Sequence, residues 1–267
     1  MRFYLSYFKL RFITGLQYRA AAYAGLATQL FFGLVFVMVY LAFYDSSSGD
    51  TPMKIQELVS YLWLNQAFFS LVNMMYKDSE IFETIKNGNI AYELARPKKL
   101  YFIWFAKIIG QRLAMVTLRC LPILLISFFL PYPYKLGLPS SIGSFMLFLL
   151  TLMTGTILMT AIITLYPVLT LRTLNEKGIA QIFAALADVL SGLVVPIPFF
   201  PKFLQIISNY LPFRYVSDLP FRIYTGNIGI SEGIMGLGLQ IVWIFIVVFI
   251  GYFLTNKSLK RVVVQGG

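Results

Sequence analysis

An uncharged run from Ala20 to Tyr44 constrains this chain more than any other feature. At 1.5 Å per residue, about 20 apolar residues in a helix cross the hydrocarbon of a bilayer, and this run is longer. Comparable runs follow. Leu58 to Tyr76 is uncharged, and about Leu113 to Leu130 carries only Arg119, with Pro122 as an expected kink. Leu136 to Leu171 is uncharged, and its helix is expected from just after Pro139 to near Leu169. Gly178 to Val195 carries only Asp188, and Gly233 to Asn256 closes the series. The expected fold is an all-α integral membrane protein, a single transmembrane domain over residues 1–267. Its six spans lie at about 20–44, 58–76, 113–130, 140–169, 178–195 and 233–256.

Composition agrees. Only 12% of residues are charged and 58% are apolar, whereas soluble domains carry about 25% charged residues. A net charge of +11 would suggest nucleic acid in a soluble chain. Here the basic residues flank apolar runs, where they read as topology signals and contacts with anionic lipid. Histidine is absent and Cys120 is the single cysteine, so neither a metal cluster nor a His-based triad is expected. The basic N-terminus has no signal-peptide cleavage pattern. Leu5, Phe8, Phe12 and Leu16 give it the spacing of an interfacial helix.

Basic residues also orient the chain. With the N-terminus inside, sixteen Lys and Arg fall on the cytoplasmic side, Lys107 and Arg112 among them. Five fall outside: Lys54, Lys135, Lys202, Arg214 and Arg222. The positive-inside rule then puts both termini in the cytoplasm.

Three sets of residues are candidates for function. In the cytoplasmic segment from Lys77 to Leu100, Asp78 and Ser79 are helix starters and Asn87-Gly88 is a helix stop. Between them Ile81, Phe82 and Ile85 form an apolar ridge flanked by Glu80, Glu83 and Lys86, shaped either to plug a partner's groove or to lie on lipid. Within the spans, Gln66, Ser70 and Asn73 share one helical face and Gln181, Asp188 and Ser191 another. These stripes line a translocation path or join helices. Arg119 and Asp188 are lone intramembrane charges whose cost an ion pair would reduce. Outside, Pro198, Phe199, Phe200, Pro201, Pro212 and Phe213 belong to a Pro- and aromatic-rich segment that suits re-entrant helices forming an outer gate, or aromatic anchoring.

The pattern Ile85, Gly88, Ile90, Leu94, Arg96, Pro97 resembles the first cytoplasmic loop of ABC-2 type permeases, in the bacterial branch often encoded as paired permeases. The external stretch Ser191 to Val216, with its Leu211 to Tyr215 element, resembles that family as well. The resemblance implies a dimer of permeases, identical or homologous, in the bacterial cytoplasmic membrane. It implies a coupling helix at about Asp78 to Asn87, including Gly88 at its end, that engages a cytoplasmic ABC ATPase. No G-x-x-x-x-G-K-[ST] loop occurs in this chain, so ATP and Mg would be bound by that partner and this chain is not itself expected to be an enzyme. The function implied is export of an amphipathic or hydrophobic substrate. A receptor or substrate-capture subunit is the alternative, and an intramembrane enzyme is disfavoured because Asp188 is the only acid in the spans.

Overall fold

The computed structural model describes residues 2–46, 51–75, 78–95, 98–173 and 176–260. Lys77, Arg96, Pro97 and Arg261, all part of the sequence reading, lie outside them. Every regular element among the described residues is helical.

Helix α1 (Arg2–Gln17) leads into α2 (Arg19–Ser46). Next come α3 (Ile55–Ala67) and the single turn α4 (Phe69–Val72), separated by a break at Phe68. The segment expected in the cytoplasm holds α5 (Ser79–Lys86) and α6 (Ile90–Leu94). Two long helices follow, α7 (Leu100–Phe129) and α8 (Ile142–Thr173), then α9 (Glu176–Leu190). After the 3-10 turn Ile197–Phe199 come α10 (Lys202–Tyr210), the turn Arg214–Val216, α11 (Asp218–Thr225) and α12 (Ile230–Leu259).

Four helices, α2, α7, α8 and α12, are long and apolar enough to cross a membrane. The segment expected as the second span holds α3 and α4, and that expected as the fifth holds α9, each shorter than those four. Helix α8 is the central one and packs against α12, α11 and α7. α2 and α12 instead turn wide apolar faces outward, including Phe31, Met38, Phe245 and Phe249, as lipid-facing helices do.

Two expectations are corrected here. The third span was expected from Leu113, with Lys107 and Arg112 in a loop; the helix instead starts at Leu100 and buries both. Charge normally marks the end of a span, but these two side chains have partners inside the fold. Helix α1 is more than an interfacial helix, since it packs along the first half of α7. Gly110 makes this possible: a Cβ there would lie 2.6 Å from the Phe8 carbonyl oxygen. Phe8, Phe12 and Leu16 are accordingly half-buried, while Leu5, Leu10 and Ile13 face outward.

Candidate functional site

The segment holding α5 and α6 is a folded hairpin. The Asp78 side chain caps α5 by accepting from the Ile81 amide at 3.3 Å, and Gly88, at φ +70, ends the helix in the left-handed region. Burial pushes the Asp78 carboxyl above its ordinary range, against the opposing pull of the Arg11 guanidinium.

The ridge faces inward. Ile81, Phe82 and Ile85 are 1%, 3% and 7% exposed, and α5 packs on α8. The ridge expected either to plug a partner's groove or to lie on lipid is packed in the chain's own core in this structure, where burying three large apolar side chains is favourable. What the hairpin turns outward is Ser79, Glu80, Glu83, Lys86, Asn87 and Gly88, with Tyr92 of α6 exposed at 75%.

Ion pairs clamp the hairpin from behind. The Lys107 ammonium, buried on α7, meets Glu93 Oε1 at 2.7 Å and Glu80 Oε1 at 3.4 Å. Trp104 Nε1 donates to Glu93 Oε2 at 3.0 Å, which fixes the second oxygen of that carboxylate. From α1, Arg11 meets Glu80 at 2.6 Å and Asp78 at 3.3 Å. Arg112, fully buried, donates to the carbonyls of Ser70, Leu71 and Asn73 at 3.0, 2.9 and 2.6 Å. It satisfies the open end of α4, where helical carbonyls lack partners. The α5 helix is thus tied to α1, α7 and α8, and α7 in turn to the end of α4.

This hairpin on a bundle of apolar helices lies inside a longer match: residues 26–266 match the family described as ABC-2 family transporter protein. The chain belongs to the ABC-2 transporter family. No curated protein matches it. Like the family, it is a multi-pass membrane protein and a component of membrane transport.

In this ABC-2 chain the expected polar stripes are rearranged. The break at Phe68 separates Gln66, on α3, from Ser70, on α4, and Asn73 is already extended at φ −69, ψ 121. The carbonyls of Ser70 and Asn73 serve Arg112, and the Asn73 side chain accepts from the Met75 amide at 2.7 Å. Gln181 and Asp188 share a face of α9, with Gln181 exposed, while Ser191 lies in the turn beyond it and is buried.

Arg119 and Asp188 form no ion pair among the described residues. The Arg119 guanidinium donates instead to the Ala21 carbonyl at 3.1 Å, between α7 and the start of α2. Asp188 sits half-buried on α9, a helix that packs on α8. A backbone carbonyl within reach makes the carboxylate unnecessary for Arg119.

The Pro- and aromatic-rich segment expected outside is held by polar contacts as well as aromatics. Phe199 packs against Tyr40, Phe43 and Tyr44 of α2 at ring distances of 5.7, 6.3 and 6.4 Å. Pro198 and Phe200 offer carbonyls to Gln205, and Pro201 caps α10. Pro212 and Phe213 are buried before the next turn. Beneath them Asp218, fully buried, meets Arg214 and Arg222 at 3.4 Å each and accepts from the Tyr61 hydroxyl at 3.4 Å. Tyr61 is shared with the Gly192 carbonyl at 2.9 Å, and Asn65 donates to the Leu193 carbonyl at 2.7 Å.

Sequence reading passed over Lys107, Arg112 and Asp218 as site residues. The signal for Asp218 was available, since Arg214 and Arg222 flank it at four residues on either side. Gln29 was also missed; it is buried on α2 with neither amide atom hydrogen-bonded.

Proposed function

We propose that this ABC-2 family chain is one permease half of an ABC exporter, driven by a separate cytoplasmic ATPase that docks on the outward face of the α5–α6 hairpin. The observation that supports this most directly is the polarity of that hairpin. Its apolar ridge is bound into the chain's own core, while Glu83, Lys86 and Tyr92 stand out on one exposed surface. A protruding aromatic with flanking charges of both signs suits reversible docking, where a bare apolar ridge would suit permanent assembly.

In this reading α3–α4 and α9 also cross the bilayer, giving six spans with both termini in the cytoplasm. α10 and α11, of 9 and 8 residues, dip into the outer leaflet without crossing it. A second permease, identical or homologous, completes the assembly in a bacterial cytoplasmic membrane. Nucleotide and Mg bind to the ATPase. Its closure pushes the hairpin, the clamps from Arg11 and Lys107 pass that push to α1 and α7, and Arg112 carries it from α7 to the end of α4. The substrate is amphipathic or hydrophobic and moves along the α3 and α9 faces toward the cap formed around Phe199 and Phe213.

A pull-down of the tagged chain in mild detergent, with nucleotide hydrolysis read on what accompanies it, tests this. Wild type is expected to bring an ATPase that Glu83→Arg/Tyr92→Ala loses while remaining folded. No hydrolysing partner with wild type would overturn the exporter reading. Equal retention by the variant would move the docking face elsewhere.

A further inference from the structure

A cavity of about 430 Å³ lies between α1, the start of α2, the first turn of α5 and the middle of α7. This is the size of a small-molecule site. Its two ends carry opposite charge. At one end stands Arg119, whose described partner is the Ala21 carbonyl and whose buried Nε has no hydrogen bond. No carboxylate pairs with it among the described residues. At the other end are Asp78 and Glu80. Among the described residues Arg11 pairs with both of these carboxylates and Lys107 with Glu80 and Glu93. Asp78 Oδ2 is buried 3.3 Å from Arg11, and the Glu80 side chain is 58% exposed. Met115, Leu118 and Ala21 make the wall between apolar, and Tyr18 at the rim is 67% exposed.

The approach to Arg119 is also kept clear. At Gly25 on α2 an added Cβ would overlap the guanidinium, so a larger residue would displace it. A guanidinium beside an apolar wall, with the Asp78 and Glu80 carboxylates at the far end, is complementary to a head carrying phosphate and ammonium together. Apolar walls and lipid-facing neighbours such as Leu10 and Ile13 favour a head that brings acyl chains with it.

We propose that this cavity binds the headgroup of a zwitterionic aminophospholipid, with its phosphate on Arg119 and its ammonium toward Asp78 and Glu80. The site borders the exposed docking face, sharing Ser79 and Glu80 with it, and the proposal does not rest on the exporter reading. Bound lipid would bridge α1, α2, α5 and α7.

The full chain in detergent is titrated with dihexanoyl phosphatidylethanolamine while thermal unfolding is followed. Dihexanoyl phosphatidylglycerol, phosphoethanolamine and inorganic phosphate serve as comparison probes. A saturable rise in melting temperature with the first probe alone, weakened at least tenfold in Arg119→Gln and in Glu80→Gln, is expected. An equal response to phosphatidylglycerol would overturn the zwitterion assignment. An equal response to phosphoethanolamine or phosphate would overturn the lipid. Undiminished binding by Arg119→Gln would place the site elsewhere. If that variant does not fold, Thr14→Trp, which fills the cavity from α1, decides: it is expected to abolish the response, and an unchanged response overturns the proposal.

Discussion

Lys107 of α7 reaches Glu93 of α6 across 2.7 Å, from a position that is itself almost fully buried. That contact fixes the back of the α5–α6 hairpin and so decides which side stays exposed. A buried cation paired on one side with Glu93 and on the other with Glu80 is a structural tie, and losing it strands charge.

Replacing Lys107 by Met is expected to lower stability by about 3 kcal/mol, because a buried charged group loses its counter-ion. The double variant Lys107→Met/Glu93→Gln should recover part of that loss. Chemical or thermal unfolding of the four members of this cycle measures it, and strict additivity would count against the tie.

Ile81→Ala should destabilise by about 2–5 kcal/mol, the range for truncating a buried aliphatic side chain. Any loss of partner binding would follow from unfolding of the hairpin. Proteolysis of the segment around α5 separates this from a surface effect, since Glu83→Arg should leave the cleavage rate unchanged.

Asp78 supplies a pH dependence. Its carboxyl is held above the ordinary range in the fold by burial, so the folded state takes up a proton more readily than the unfolded chain. The favourable contribution of this group is therefore full below the unfolded value and is lost as pH rises through the folded one. Relative to Asp78→Asn, wild type should gain melting temperature as pH falls from 7 to 5. A relative loss over that interval would contradict the assignment. Asp78→Ala, which also removes the cap, should cost about 1 kcal/mol.

Gly192→Ala tests the external cap. The residue sits at φ +77, and an added Cβ would lie 2.5 Å from the Tyr61 hydroxyl oxygen, which bonds the Gly192 carbonyl. Strain and the displaced hydroxyl together predict a loss of at least about 1 kcal/mol. Tyr61→Phe/Gly192→Ala should lose less than the sum of its single variants, read again from unfolding.

The helical bundle was legible because charge-free runs of bilayer length have few other outcomes. The α5 boundaries were legible for a local reason, Asp78 at one end and Asn87-Gly88 at the other. Orientation of the ridge was not, because periodicity says that Ile81, Phe82 and Ile85 share a face without saying what covers it. The start of α7 was missed for a related reason. Lys107 and Arg112 look like a span's edge until their partners, Glu93 and the carbonyls ending α4, arrive from 14 and about 40 residues away. The Arg119–Asp188 pairing failed because a carbonyl on α2 is invisible to residue type.

Arg112 carries a last consequence. By gripping the carbonyls of residues 70, 71 and 73, it staples the point where the chain leaves the bundle to the helix by which the chain returns. The intervening stretch is a loop with its neck tied. Residues could be inserted at its exposed tip, Asn87 to Asn89, without shifting the register of α3 against α7. Such a neck keeps the spans in place while the tip varies, even though the ridge and ion pairs of the hairpin are bound into the bundle.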